Sequence, residues 1–227
     1  MALMQETPLT LTGGCFCSAI RYTISIPAMD SRPLVPGALP TPVDASGTTI
    51  PTRLPLTDID HCQSCRRACG GLVQAWLIVP HAWVTFALQR REEGRTGSYS
   101  EPFIGSEGVV YRCGDVVVPS EDVLRETYVE RYESSPDIHR TFCTRCGTGL
   151  TYCYAGDRPK EWTLGPIVDV AIGSLDQESI ERVRAERHGW WDDGVGWIKE
   201  LMTKGDGGFL IRHPTGRVNS KVEGDNE

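Results

Sequence analysis

Long apolar runs, basic clusters and a leader-like start are all missing from this chain of 227 residues. No segment approaches the roughly 18 continuous apolar residues of a membrane span, so no membrane partner is expected. Lys and Arg number 23 against 30 Asp and Glu, for a net charge of −7. No basic run exceeds the pairs Arg66-Arg67 and Arg90-Arg91. Nucleic-acid binders present a basic face, so neither DNA nor RNA is expected as a partner. The start, M-A-L-M-Q-E-T-P-L-T-L-T-G-G, has no basic stretch followed by a long apolar one, which argues against a secretory signal. Internal repeats are lacking as well. These absences leave the expectation of a cytoplasmic protein that acts on a small molecule.

What is there in quantity is cysteine. Nine cysteines in a chain without a leader point to a reducing compartment, where short cysteine spacings hold metal ions more often than they form disulfides. The length and the 40% hydrophobic fraction suit one globular domain, residues 1–227, with its core over about residues 10–200.

Residues 18–26, S-A-I-R-Y-T-I-S-I, put Ile20, Tyr22, Ile24 and Ile26 on alternate positions, the mark of a half-buried strand. Residues 27–57 carry seven prolines, a density that breaks helices and central strands, and read as a long inserted loop. Strands are expected again over 73–79, 83–88, 109–112, 124–132, 149–154 and 167–172. Residues 89–120 read as a second insertion. One helix is expected over 174–187, S-L-D-Q-E-S-I-E-R-V-R-A-E-R, with Ser174 and Gln177 as a capping box. After about residue 205 the chain is a polar tail. The fold class is mainly β, with short helices and long loops.

The cysteines fall in three clusters: Cys15-x-Cys17 after Gly13-Gly14, Cys62-x2-Cys65 with Asp60, His61 and Cys69 nearby, and Cys143-x2-Cys146-Gly147. A Cys-x2-Cys-Gly turn suits zinc, because its amides aim at the sulfurs and glycine allows the left-handed backbone it needs. Cys15 and Cys17 can join Cys143 and Cys146 in a tetrahedral site of four thiolates, pinning the first strands to a late one. Cys113 and Cys153 have no spaced partner and read as ordinary packed residues. In the middle cluster the third ligand stays open. His61, next to Cys62, points away from it by strand alternation, or serves as a proton shuttle. Cys69 shares a face with Cys65 if the chain is helical from Ser64. A metal-free site with Asp60 as base is the further alternative.

The segments G-G-C-F-C-S-A-I-R-Y, H-C-Q-S-C-R-R-A-C-G-G, Y-E-S-S-P-D-I-H-R-T-F-C-T-R-C-G-T-G-L-T-Y, V-D-V-A-I-G-S-L-D and R-H-G-W-W-D-D-G-V-G-W, in this order, resemble the glutathione-dependent formaldehyde-activating enzyme and centromere protein V family. The resemblance covers about residues 10–90 and 120–200. It implies a β-tent with zinc-stapled sheets, and a structural zinc on Cys15, Cys17, Cys143 and Cys146. It also implies a second, catalytic zinc on a Cys-x-Cys-x2-Cys pattern, whose last two positions fall on Cys62 and Cys65. The first falls on Asp60, a departure from the pattern. A carboxylate is an acceptable ligand, with Zn–O near ~2.1 Å, and makes the site harder than three thiolates would.

On this reading Asp60, His61, Cys62 and Cys65 are the catalytic candidates, and Asp60, Cys62 and Cys65 the second zinc's ligands. Arg66, Arg67 and His188 are substrate-binding candidates, with arginine suited to the carboxylates of a glutathione cosubstrate. The implied activity is that of a zinc-dependent carbon–sulfur lyase-like enzyme acting on the adduct of a thiol with an electrophilic carbon. A zinc Lewis-acid lyase, isomerase or cyclase without a thiol cosubstrate is the alternative within enzymes, and a non-enzymatic zinc-stapled binding module the alternative outside them.

Overall fold

A computed structural model describes residues 6–42, 46–91, 108–158, 162–210 and 212. Two antiparallel hairpins begin the architecture. Strands β1 (Leu9–Gly14) and β2 (Ile20–Ile26) pair in register from Leu9↔Ile26 to Gly14↔Arg21. Then β7 (Val84–Leu88) and β8 (Val109–Arg112) extend this sheet in the order β1-β2-β7-β8. A second sheet has the order β13-β5-β6-β12-β11-β10-β9. Its members are β5 (Leu56–Asp60), β6 (Gln74–Pro80), β9 (Val129–Ser135), β10 (Ile138–Cys143), β11 (Gly149–Tyr154), β12 (Ile167–Ala171) and β13 (Arg187–Gly189). A short ribbon, β3 (Thr41–Pro42) with β4 (Thr49–Ile50), lies in the proline-rich stretch.

Strand alternation makes the core. One buried cluster takes Leu11, Ile24, Phe86 and Leu88 from the first sheet and Leu77, Val79, Val168 and Val170 from the second. Side chains one residue away point to the outer face of the second sheet: Asp58 and Asp60 on β5, Trp76 and Ile78 on β6, Asp169 on β12. Helix α1 (Gln63–Cys69) covers part of that face, where Cys65, Trp76 and Ala171 form a smaller buried cluster. The other helices are α2 (Cys113–Val117), α3 (Glu121–Glu126), α4 (Gln177–Ile180) and α5 (Gly196–Lys204). Among the described residues no helix is long and apolar enough to cross a membrane.

The mainly β class agrees with the sequence reading, but several boundaries need correction. The expected helix over 174–187 is one turn, α4, with Asp176 rather than Ser174 at its N-cap position and no side-chain cap. Ser174 is drawn instead into the core, where its Oγ lies 2.7 Å from Tyr22 Oη and donates to Ala171 O. The remaining Glu–Arg run has too few apolar positions to hold a longer helix against a sheet. The expected strand over 124–132 is split between α3 and β9. Ser120 Oγ accepts from the Val123 amide and starts the helix there. Within the expected second insertion, Val109–Arg112 and Cys113–Val117 form β8 and α2, and Cys113, Val116 and Val117 are buried in the core; residues 92–107 lie outside the described residues. Among the described residues the proline-rich stretch is loop up to β5 apart from the β3–β4 ribbon and one short 3-10 turn, and is anchored by buried Arg32, whose Nε donates to Pro27 O. Of the polar tail, 213–227 lies outside the described residues.

Candidate metal centre

The turn between β1 and β2 carries Cys15 and Cys17, and the turn between β10 and β11 carries Cys143 and Cys146. Their four sulfurs all lie within 4.8 Å of one another. Cys15 Sγ and Cys17 Sγ stand 3.5 Å apart, and Cys17 Sγ and Cys143 Sγ 3.7 Å. Thiolates bound tetrahedrally at about 2.3 Å from one ion would stand about 3.8 Å apart, so the spacing fits a shared metal. It does not fit a disulfide, which needs about 2.05 Å. The backbone is shaped to the sulfurs. The Ile20 amide donates to Cys15 Sγ at 3.2 Å, and Gly147, at φ +75°, donates its amide to Cys143 O. A hydrogen bond from the Cys15 thiol holds the Cys143 sulfur down to about 5 as a thiolate, and the same bond pushes Cys15 up. These four cysteines form a group that can hold a metal ion.

Gly13 and Gly14 explain the approach to this turn. A Cβ on Gly14 would meet Ile20 O at 2.2 Å, and one on Gly13 would meet Tyr22 Oη at 2.3 Å and Ser174 O at 2.6 Å.

The second group stands on the outer face of the larger sheet. Asp60 ends β5, Cys62 precedes α1, and Cys65 lies in that helix's first turn. One ligand atom from each lies within 4.8 Å of the others. Asp60 is fixed from two sides: Oδ1 accepts from the Cys62 amide at 2.7 Å and Oδ2 from Trp76 Nε1 at 3.3 Å. Burial, helped by a hydrogen bond to Asp60, pushes the Cys65 thiol up to about 12. Opposing that, Arg140 Nη2 donates to Cys65 Sγ at 3.2 Å. Asp58 and Asp169 share the face. Burial first, then the neighbouring carboxylates, pushes Asp58 up to about 7 and Asp169 up to about 8. Three carboxylates gathered on one sheet face make a field that favours a cation.

No protein-family model and no curated protein matches this chain.

The remaining sequence candidates are placed as follows. His61 leaves the group by strand alternation and is fully buried on the opposite side of the backbone. Its Nε2 lies 3.0 Å from His188 Nδ1, and the Trp191 ring packs against both imidazoles. Burial and the His188 charge push its pKa down, favouring the neutral ring. His61 and His188 thus pair with each other and neither joins the cysteines. Cys69 turns away from Cys65 and is exposed, with its sulfur contacting the carbonyl oxygens of Arg66 and Val73. Arg66 is half-buried and Arg67 exposed, on α1. Cys113 and Cys153 are buried in the core, and burial pushes Cys153 up to about 11.

Two side chains escaped the sequence reading. Trp76 orients Asp60, and Arg140 reaches Cys65 from β10. Both line a cavity of about 580 Å³, with Tyr132, Cys69 and Gly147 also on its wall. The only local sign of Arg140 was a charge inside a partly buried strand, H-R-T-F-C, which does not tell its role.

Proposed function

We propose that the chain is a zinc enzyme of carbon–sulfur lyase type, with one structural zinc on Cys15, Cys17, Cys143 and Cys146 and a reactive zinc on Asp60, Cys62 and Cys65. The resemblance to the formaldehyde-activating family supports this reading. The observation that carries it is the convergence of the Asp60 carboxylate and two sulfurs on one spot, beside a cavity large enough for a small substrate. Three protein ligands leave a fourth position open, the mark of a catalytic zinc rather than a structural one. A bound zinc would supply there a Lewis acid and a point of attachment for a thiolate or carbonyl.

The chain's own residues do the rest. Trp76 Nε1 and the Cys62 amide hold the Asp60 carboxylate in a fixed orientation, so that its remaining lone pairs face the two sulfurs. Arg140 donates to Cys65 Sγ and offsets negative charge gathered on the thiolates. Asp60 lies within 4.8 Å of both sulfurs and is placed to take a proton from an incoming thiol. The reaction is the making or breaking of a bond between a thiol sulfur and an electrophilic carbon.

Metal analysis tests this directly. Zinc-replete protein should hold two zinc ions per chain, one of them exchangeable, and Asp60→Ala should hold one. A single firmly held zinc in both proteins would overturn the reactive zinc and leave a zinc-stapled binding module or a metal-free site with Asp60 as base.

A further inference from the structure

We propose that Arg140 is the anion-binding element of the pocket beside the Asp60–Cys62–Cys65 group, and that the pocket takes a carboxylate carried on a flat apolar body. In making that carboxylate part of the substrate, the inference rests on the function proposed above; the binding itself does not.

Arg140 is a cation with only 6% of its surface exposed. Burying a charge costs several kcal/mol unless it is paired; the Cys65 sulfur meets one N–H of this cation, and the donors left over are suited to a second anion. Among the described residues no Asp or Glu makes an ion pair with it. Of the five guanidinium N–H donors, two are committed: Nε donates to Ser134 Oγ at 3.1 Å and Nη2 to Cys65 Sγ at 3.2 Å. Nη1 makes no hydrogen bond among the described residues, and the second Nη2 hydrogen is likewise uncommitted. Those two nitrogens form the end-on fork that matches both oxygens of a carboxylate.

The guanidinium is braced by aromatic rings, on a residue that lines open space. The guanidinium carbon lies 4.8 Å from the Tyr152 ring centre and 6.0 Å from that of Trp76. Rings at those distances restrain the guanidinium plane before any ligand arrives. Arg140 lines the cavity of about 580 Å³, and the rings of Trp76, Tyr132 and Phe142 line it too. Tyr132 and Phe142 themselves pack at 6.2 Å between centroids. A charged fork among three aromatic walls selects a flat apolar body with one anionic end. A bare inorganic anion would leave the walls unused, and the Cys65 sulfur reaches only one side of the fork.

The test titrates benzoate, neutral benzamide and inorganic phosphate separately into the zinc-loaded full chain, read by calorimetry and ligand-observed NMR. Benzoate should bind at least about tenfold tighter than benzamide, the worth of one charge-assisted pair, and tighter than phosphate. Arg140→Gln should lose that advantage and keep benzamide binding, while Arg140→Lys should recover part of it. Equal binding of benzoate and benzamide to the parent, or an undiminished preference in Arg140→Gln, overturns the proposal. If Arg140→Gln loses its thermal transition, Tyr132→Ala carries the test. It should weaken both ring ligands alike, and unchanged binding overturns the pocket. Asp60→Asn separates the two readings, with its zinc content measured on the same sample. Benzoate preference that survives loss of the second zinc supports Arg140 as the anchor. Preference that disappears with that zinc puts the carboxylate on the metal and overturns the proposal. Two zinc ions per chain without any benzoate preference would sink the pocket and leave the metal reading intact. Benzoate preference with a single zinc in the parent would do the reverse.

Discussion

Cys17 and Cys143 bring their sulfurs to 3.7 Å across 126 residues of chain. One belongs to the hairpin that opens the first sheet, the other to β10, next to the edge strand of the second. A metal held there is therefore a tie between the two halves of the core, and its binding energy becomes folding energy. Cys143→Ser should lose the firmly held metal and at least about 3 kcal/mol of stability, a fraction of what a structural zinc contributes. Urea unfolding with metal analysis on the same protein checks both. Unchanged unfolding after loss of the metal would show that the sheets need no tie.

Gly13 offers a test of the same corner without touching a sulfur. It lies under the Tyr22 ring, whose hydroxyl is fixed by Ser174, so an added methyl has nowhere to go. Gly13→Ala should cost about 1–3 kcal/mol or more by overpacking. Thermal unfolding reads this, and a shift close to zero would mean that Tyr22 swings away freely.

Trp76 should act on the metal only through Asp60. Trp76→Phe removes the N–H that fixes Oδ2 and keeps most of the ring. Partners that orient a ligand typically matter about 10–100-fold in metal affinity. On the function proposed above, zinc at the Asp60–Cys62–Cys65 group should weaken by that order in competition with a chromophoric chelator, while zinc at the four-cysteine group keeps its affinity. Equal loss at both sites would point to general damage.

Two aspartates should tilt the pH dependence of stability in opposite directions. Burial raises Asp169 to about 8, against about 3.9 in an unfolded chain, so the native state binds its proton more tightly. That contribution is whole below about pH 4 and is lost as pH rises towards 8. Asp169→Asn should therefore be more stable than the parent at about pH 9 and similar to it near pH 4. Asp176 is held below the ordinary value by Arg21, with Thr12 Oγ1 adding a hydrogen bond at 2.6 Å. Its contribution is present above about pH 3.9 and lost as pH falls below that, so Asp176→Asn should cost stability near neutrality and little in strong acid. Urea midpoints across the pH range decide both signs.

Where one residue type alternates or one turn signature dominates, the sequence was readable. Ile20, Tyr22, Ile24 and Ile26 alternate, and β2 is where they put it. The Cys143-x2-Cys146-Gly147 turn announced the left-handed Gly147, and the four sulfurs expected to meet do meet. Asp60 was visible only against a family pattern, since nothing local separates it from Asp58. Leu124, Tyr128 and Val129 read as one strand because apolar content hides a boundary. That boundary is set by the Ser120 cap and by what Val123 packs against. Arg140 was out of reach for a different reason. Its role comes from Tyr152 beside it on β11, Tyr132 beside it on β9, and Cys65 on α1, neighbours that only strand register supplies.

Strand β13 pairs in parallel with β5, Arg187 beside Asp58 and Gly189 beside Asp60. The Gly189 carbonyl takes the His61 amide, and Glu186 donates its own amide to Thr57 O. The strand that bears Asp60 is thus shielded by residues made 130 positions later, and without them it would be a bare sheet margin. A chain ending before Arg187 would carry its metal ligands beside an unpaired row of amides and carbonyls, which invites a strand from another molecule. Premature termination in this protein should then show itself first as self-association, and only afterwards as lost metal.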